Sequence, residues 1–205
     1  MTASRNLTLA ITGASGAVYA RAMLRLLAAD ERVSRVNLVF SDSALRVLAE
    51  ELSCAGRSSV LISLMGTPSD KVHLVPNEDI GAGIASGSYP SDGMIVLPCS
   101  MGTLAGIAHG LAQKLIERAA DVCLKERRPL ILCVRETPFN LIHLRNMTLA
   151  TEAGAVIYPA MPVLYTKPQS TEEMATEFCQ RVLSHLGLRQ TGAFVWKGDG
   201  SSEAL

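Results

Sequence analysis

Three short segments place hydroxyl groups and small residues where an apolar run gives way to a helical pattern. Thr12 to Gly16 reads TGASG directly after Leu7 to Ile11, Ser41 follows Val36 to Phe40, and PCSMGTLAG, Pro98 to Gly106, follows Met94 to Leu97. Unpaired backbone N–H groups at a helix N-terminus, together with the positive end of the helix dipole, attract anions, and glycine permits close approach. Two such patterns at matching positions favour a phosphorylated ligand. Taken alone, TGASG has a second reading, a tight strand-to-helix turn with Ser15 as the N-cap. A dinucleotide fingerprint would need glycine where Ser15 stands, and no GxxxxGK[ST] occurs, which argues against NAD and ATP.

A second set of residues is charged. In LIERAADVCLKERRPL, Leu115 to Leu130, Arg118 and Lys125 lie seven residues apart and share a helix face. Their plain alternative is a solvated surface, on which Lys114 and Arg118, and Asp121 and Lys125, are only i,i+4 neighbours. RETP, Arg135 to Pro138, ends the following strand, where an Arg135–Glu136 pair would point into a ligand crevice and add little as a surface ion pair. Tyr165, in a proline-rich loop, and Trp196, near the C-terminus, sit outside any amphipathic core pattern and read as covers for a ligand or interface. Arg181, on the last helix, is solvent-facing by default. Cys99 reads as a small buried residue. His73, His109, His143 and His185 show no HExxH or paired spacing, so no metal site is expected.

The elements that must position these groups alternate along the chain. Strand patterns at Leu7 to Ile11, Val36 to Phe40, Met94 to Leu97, Leu130 to Val134 and Val156 to Tyr158 are separated by helical patterns. The helices fall at Ala17 to Ala29, Ala44 to Leu52, Thr103 to Lys125, Leu141 to Ala153 and Thr171 to Leu186. Short, continuously apolar strands between helices predict an α/β fold with an open parallel sheet covered on both faces, a flavodoxin- or Rossmann-like three-layer sandwich. In such sheets ligands bind outside the carboxyl ends of the strands, which brings the three hydroxyl-bearing segments to one crevice. Gly66 to Pro90 and Pro159 to Ser170 interrupt the alternation as long loops.

With 205 residues, 48% of them hydrophobic, the chain is expected to form a single domain over 1–205, frayed at about 1–5 and 198–205. Nineteen basic and nineteen acidic residues cancel, so no whole-chain field recruits nucleic acid or an anionic membrane. Five scattered cysteines without a CxxC pair fit a reducing cytoplasm better than a disulfide framework. No apolar stretch approaches the ~18 residues of a membrane span, and the opening run is too short for a signal peptide.

TGASGA, the Ser41 strand end, PCSMGTLAGIAHG, LIERAADVCLKERRPLILCVRETPFNLIHLRNM, AGAVIYPAMPVLY and KPQS together resemble the UbiX flavin prenyltransferase family, from Leu7 to about Trp196. The resemblance implies transfer of a dimethylallyl group from dimethylallyl phosphate to N5 and then C6 of reduced FMN, without a metal. The product serves UbiD-type decarboxylases, as in ubiquinone biosynthesis. It implies a homododecamer with FMN between subunits. FMN contacts are implied for Gly13, Ala14, Ser15, Ser41, Ser100, Met101, Gly102, Thr103 and Arg135. Dimethylallyl phosphate contacts are implied for Arg118, Lys125, Glu136, Tyr165 and Arg181, with Trp196 closing over the site. Catalytic roles are implied for Ser15, Glu51, Lys125 and Glu136. Gln113-Lys114 departs from the family's Asp-Asn or Asn-Asn at that place, beside Arg118. A cysteine-type flavin decarboxylase is a related alternative, but its PxMNxxMW clamp is missing where this chain reads PAMPVLY. A non-catalytic FMN carrier and a direct aromatic-acid decarboxylase are further alternatives.

Overall fold

The computed structural model describes residues 4–54 and 57–196. The apolar runs become strands β1 (Arg5–Ile11), β2 (Val33–Phe40), β3 (Val72–Leu74), β4 (Gly93–Cys99), β5 (Leu130–Val134) and β6 (Val156–Ile157). All neighbours pair in parallel, in the order β3-β2-β1-β4-β5-β6. This is a doubly wound order whose direction reverses between β1 and β4.

Helices α1 (Ala17–Ala29), α2 (Asp42–Glu51), α3 (Arg57–Met65) and α7 (Thr171–His185) cover one face. Helices α4 (Met101–Ala108), α5 (Leu115–Lys125) and α6 (Leu141–Glu152) cover the other. Strand alternation divides the core between them. Leu7, Leu9, Ile11, Ile95, Leu97, Ile131 and Cys133 pack toward α1 and α7, whereas Ala10, Met94, Val96, Leu130, Leu132 and Val134 pack toward α4 and α5. The three-layer expectation holds.

Three expectations need correction. The helix expected over Thr103 to Lys125 is two helices, α4 and α5, with Gly110 between them at φ 65°. The second helix starts where Asn77, from a distant loop, accepts hydrogen bonds from Leu115 N at its carbonyl (2.8 Å) and Ile116 N at its side-chain oxygen (3.0 Å). The loop expected over Gly66 to Pro90 contains β3 and a 3₁₀ turn at Gly83–Ala85, and α3 had no counterpart in the sequence reading. Arg5 begins β1 instead of fraying; residues 198–205 lie outside the described range.

One polar network ties the C-terminal segment to the sheet end far from the crevice. Asp30 accepts from Arg32 Nε (2.9 Å), Arg32 NH2 (2.6 Å), Arg32 N (2.9 Å) and Gln190 Nε2 (2.8 Å), while Arg32 NH2 also donates to Arg189 O (2.9 Å). The Arg32 hydrogen bond foremost, with help from Gln190 and despite burial, holds the Asp30 carboxyl far below the usual carboxylate range. A depressed folded-state pKa means stability that is complete above the unfolded pKa of about 4 and is lost as pH falls below it. Asp30→Asn is therefore expected to cost roughly 2 kcal/mol near neutrality, because the Asp30 side chain is only 6% exposed. Urea unfolding at neutral and acid pH checks this: the gap between parent and variant should shrink as the pH drops.

Candidate active site at the carboxyl edge of the sheet

The strand order puts the ends of β2, β1, β4 and β5 side by side, so Ser41, Thr12 to Gly16, Ser100 and Arg135 share one edge. Buried Thr12 joins the two central strands at the point where the order reverses. Its hydroxyl donates to Pro98 O (2.8 Å) and accepts from Ser100 N (2.7 Å). Gly13 is required for close approach, since a Cβ there would lie 2.3 Å from Ser43 Oγ at the start of α2.

The TGASG turn holds an anion, but one supplied by the chain. Glu51, the last residue of α2, accepts from Gly16 N (3.1 Å) and Ala17 N (2.7 Å) at the N-terminus of α1. Partial burial pushes its carboxyl up. The Ser15 hydroxyl bond, those two N–H groups and the nearby Arg135 guanidinium outweigh burial and leave it below its ordinary value. This corrects two expectations. The first turn of α1 is not an open phosphate cradle, and its N-cap is Gly16, without a side-chain cap bond, in place of Ser15. Ser15, Glu51 and Arg135 instead line one cavity of about 350 Å³, with Tyr19, Arg21 and Thr171. Tyr19, whose phenol is held above its ordinary pKa chiefly by burial, and Arg21 were not anticipated, because each sits within an ordinary amphipathic helix pattern.

The other two strand-end serines are N-caps. Ser41 Oγ accepts from Ala44 N (3.1 Å) and Ser100 Oγ from Thr103 N (3.4 Å). Each hydroxyl also meets a second one, at Ser43 and Thr103 respectively, both at 3.1 Å. Within the first turn of α4, Met101 is buried at 9% exposure, whereas a Cβ on Gly102 would meet nothing within 4 Å. That turn therefore presents backbone to open space. Cys99 behind it is fully buried, and burial pushes its thiol up to about 12, too high for a nucleophile.

The charged residues divide into two groups on opposite faces of the sheet. On α5, Arg118 donates to Ala85 O (3.1 Å) and pairs with Asp121 (2.7 Å), and Lys125 pairs with its neighbour Glu126. Lys114 pairs with Glu78 instead of joining an i,i+4 ladder. On the α7 side, Arg181 NH1 donates to the Tyr165 hydroxyl (3.4 Å), and Tyr165 stacks near Trp196 (6.3 Å between ring centres) and Phe194 (5.1 Å). Tyr165, Arg181 and Trp196 line a cavity of about 410 Å³, with Trp196 itself 72% exposed. Glu136 accepts from Thr137 N (2.9 Å) and forms no ion pair with Arg135, which faces Glu51 instead. Among the described residues, neither Arg135 nor Arg181 has a carboxylate at ion-pair distance. Three of the four histidines make structural contacts: His109 meets Asn146 (3.1 Å), His143 completes a capping box with Asn140, and His185 packs on Tyr158. Among the described residues no cluster of His, Cys, Asp and Glu is arranged to hold a metal, and no helix is long and apolar enough to cross a membrane.

The family model for flavoproteins matches residues 1–180. The flavin prenyltransferase UbiX of Neisseria meningitidis serogroup B is 43% identical over 194 residues, covering 95% of this chain and 97% of that one. The chain belongs to the UbiX flavin prenyltransferase family. A crystal structure of a dodecameric FMN-dependent UbiX-like decarboxylase from Escherichia coli O157:H7 superposes with a TM-score of 0.82 at 39% identity, covering 94% of this chain and 100% of that one. The crystal structure of AnUbiX (PadA1), in complex with FMN and dimethylallyl pyrophosphate, does so with a TM-score of 0.77 at 39% identity, covering 95% and 98%. The fold is therefore that of UbiX-like flavoproteins.

Proposed function

We propose that this chain is a flavin prenyltransferase that joins the dimethylallyl group of dimethylallyl phosphate to reduced FMN. The observation that carries this reading is the Arg181–Tyr165 contact. It presents a guanidinium without a carboxylate partner beside exposed aromatic rings, in a chain whose solved relative binds FMN and dimethylallyl pyrophosphate. An FMN carrier or a cysteine decarboxylase has no evident use for such a group.

The flavin phosphate is taken at the first turns of α2 and α4, by Ser41 and by Ser100, Met101, Gly102 and Thr103, because Glu51 already fills the first turn of α1. Gly13, Ala14, Ser15 and Arg135 hold the ring system. The flavin supplies the nucleophilic N5 and C6 atoms. The carbon–oxygen bond of the dimethylallyl ester breaks, inorganic phosphate departs and the allylic carbon bonds to N5, which loses its proton; protonation of the remaining double bond then lets C6 bond to its branched carbon, with loss of the C6 proton. Ser15 and Glu51, which line one cavity, move those protons. Arg118, Lys125, Tyr165 and Arg181 stabilise the departing phosphate, Glu136 protonates it, and Trp196 covers the allylic group.

Arg118 and Lys125 belong to the opposite face of the sheet from Tyr165 and Arg181, so a complete clamp takes its halves from two subunits of a homododecamer. Its product is the cofactor of UbiD-type decarboxylases. Cationic side chains supply the phosphate stabilisation, so no divalent metal is needed. The test is anaerobic release of inorganic phosphate from dimethylallyl phosphate. Release should require reduced FMN, match it one to one and survive a chelator. Release without flavin, or none at all, would contradict the reading.

A further inference from the structure

Arg181 and Arg189 line one cavity of about 410 Å³, within the usual range for a small-ligand pocket. Val163, Phe194 and Trp196 give it apolar surface. Glu177, Arg181 and Ser184 stand at i, i+4 and i+7 on α7, so they follow one another along one helix face over about 10 Å. The helix then ends in a reversal. Gly187 has φ 75°, and Gly187 N and Leu188 N donate to Ser184 O (3.1 Å) and Leu183 O (2.9 Å). Leu188 is buried, and Arg189 O accepts from Arg32 NH2 (2.9 Å), so the backbone that carries Arg189 is held past the Ser184 end of that row. Glu177 stands at the other end.

The polar groups of this cavity differ in what they can still offer a ligand. Ser184 spends its hydroxyl proton on Gln180 O (2.9 Å), and Glu177 accepts from the Thr166 hydroxyl (2.6 Å). Arg181 meets the Tyr165 hydroxyl (3.4 Å). The exposed Arg189 side chain has, among the described residues, neither a carboxylate at ion-pair distance nor a hydrogen-bond acceptor. Two guanidinium groups without carboxylates around one cavity suit a ligand with two linked anionic groups, and the apolar surface beside them suits a short isoprenyl chain. We propose that Arg189 forms a second phosphate subsite, through which the chain also takes dimethylallyl pyrophosphate. Arg181 and Tyr165 meet the phosphate on the allylic oxygen, and Arg189 meets the terminal one. Arg189 thereby sets the choice between one-phosphate and two-phosphate donors. The bond that breaks is the same carbon–oxygen bond, and inorganic pyrophosphate leaves in place of phosphate. This rests on the reading of Arg181 as a ligand of the prenyl phosphate.

In the FMN-loaded oligomer, calorimetry compares inorganic phosphate, inorganic pyrophosphate, dimethylallyl phosphate and dimethylallyl pyrophosphate. The parent should bind each two-phosphate ligand more tightly than its one-phosphate counterpart. Arg189→Gln should weaken the two-phosphate ligands roughly tenfold, the scale of one exposed charge-assisted contact, and the one-phosphate ligands by less than about twofold. Arg189→Lys should recover much of that loss, since the charge returns. FMN content and melting temperature should not move in either variant. Arg181→Met should weaken all four ligands. With reduced flavin, the slope of adduct rate against donor concentration should fall in Arg189→Gln for dimethylallyl pyrophosphate and hold for dimethylallyl phosphate. Equal losses for one-phosphate and two-phosphate ligands in Arg189→Gln, or no loss, would overturn the inference. A parent that forms no adduct from either donor would overturn prenyl transfer alone, leaving the pyrophosphate affinities of parent and Arg189→Gln to decide the subsite. A parent that binds none of the four would overturn both.

Discussion

Replacing Glu136 by Gln is expected to slow flavin adduct formation by roughly 10²-fold while leaving FMN bound. Glu136 follows β5 at the crevice edge. It accepts a hydrogen bond from Thr137 N (2.9 Å), and among the described residues it has no cationic partner at ion-pair distance. In the proposed reading its carboxyl stands beside the departing phosphate and hands a proton to the leaving oxygen. Gln matches the shape and can donate a hydrogen bond, but it has no proton to transfer. Single-turnover absorbance under anaerobic conditions measures the effect. A variant as fast as the parent would remove Glu136 from the chemistry without touching the flavin site.

Two inactive variants are expected to rescue one another. Lys125 lies on α5 and Arg181 on α7, helices that pack on opposite faces of one sheet. If one phosphate needs both, each site draws them from different subunits. Lys125→Ala and Arg181→Met should each be nearly inactive. Oligomers reassembled from equal amounts of the two should recover about a quarter of the parent rate, since random mixing leaves that share of sites with both groups. Co-expression with two affinity tags, followed by an activity assay on doubly tagged oligomers, measures it. No recovery would mean that both groups act within one subunit or that one of them does not act.

The sequence carried the sheet and its ligand edge because both depend on local patterns. Short apolar runs become buried parallel strands, and residues just beyond them must fall at one edge. Ser41 and Ser100 were legible for the same reason, although their N-cap roles emerged only with the helix starts. What remained hidden depends on distant parts of the chain. Helices α4 and α5 read as one because Leu104, Ile107, Leu111 and Leu115 keep a helical phase across Gly110. The break is set by Asn77, thirty-eight residues before Leu115, whose carbonyl accepts from Leu115 N (2.8 Å). Glu51 reached the first turn of α1 through the course of α2, which no spacing in TGASG foretells. The family resemblance grouped Arg118 and Lys125 with Tyr165 and Arg181 around one phosphate, and no spacing in the sequence shows on which face of the sheet each helix packs. A sheet with helices on both faces keeps Arg118 and Lys125 apart from Tyr165 and Arg181.

The central claim is that flavin is the acceptor of the prenyl group. The oligomer, loaded with FMN, reduced and incubated with dimethylallyl phosphate without oxygen, should yield flavin that is heavier by one isoprene unit in its mass spectrum, with inorganic phosphate released in equal amount. Flavin recovered at its original mass from protein shown to bind both ligands would contradict the account.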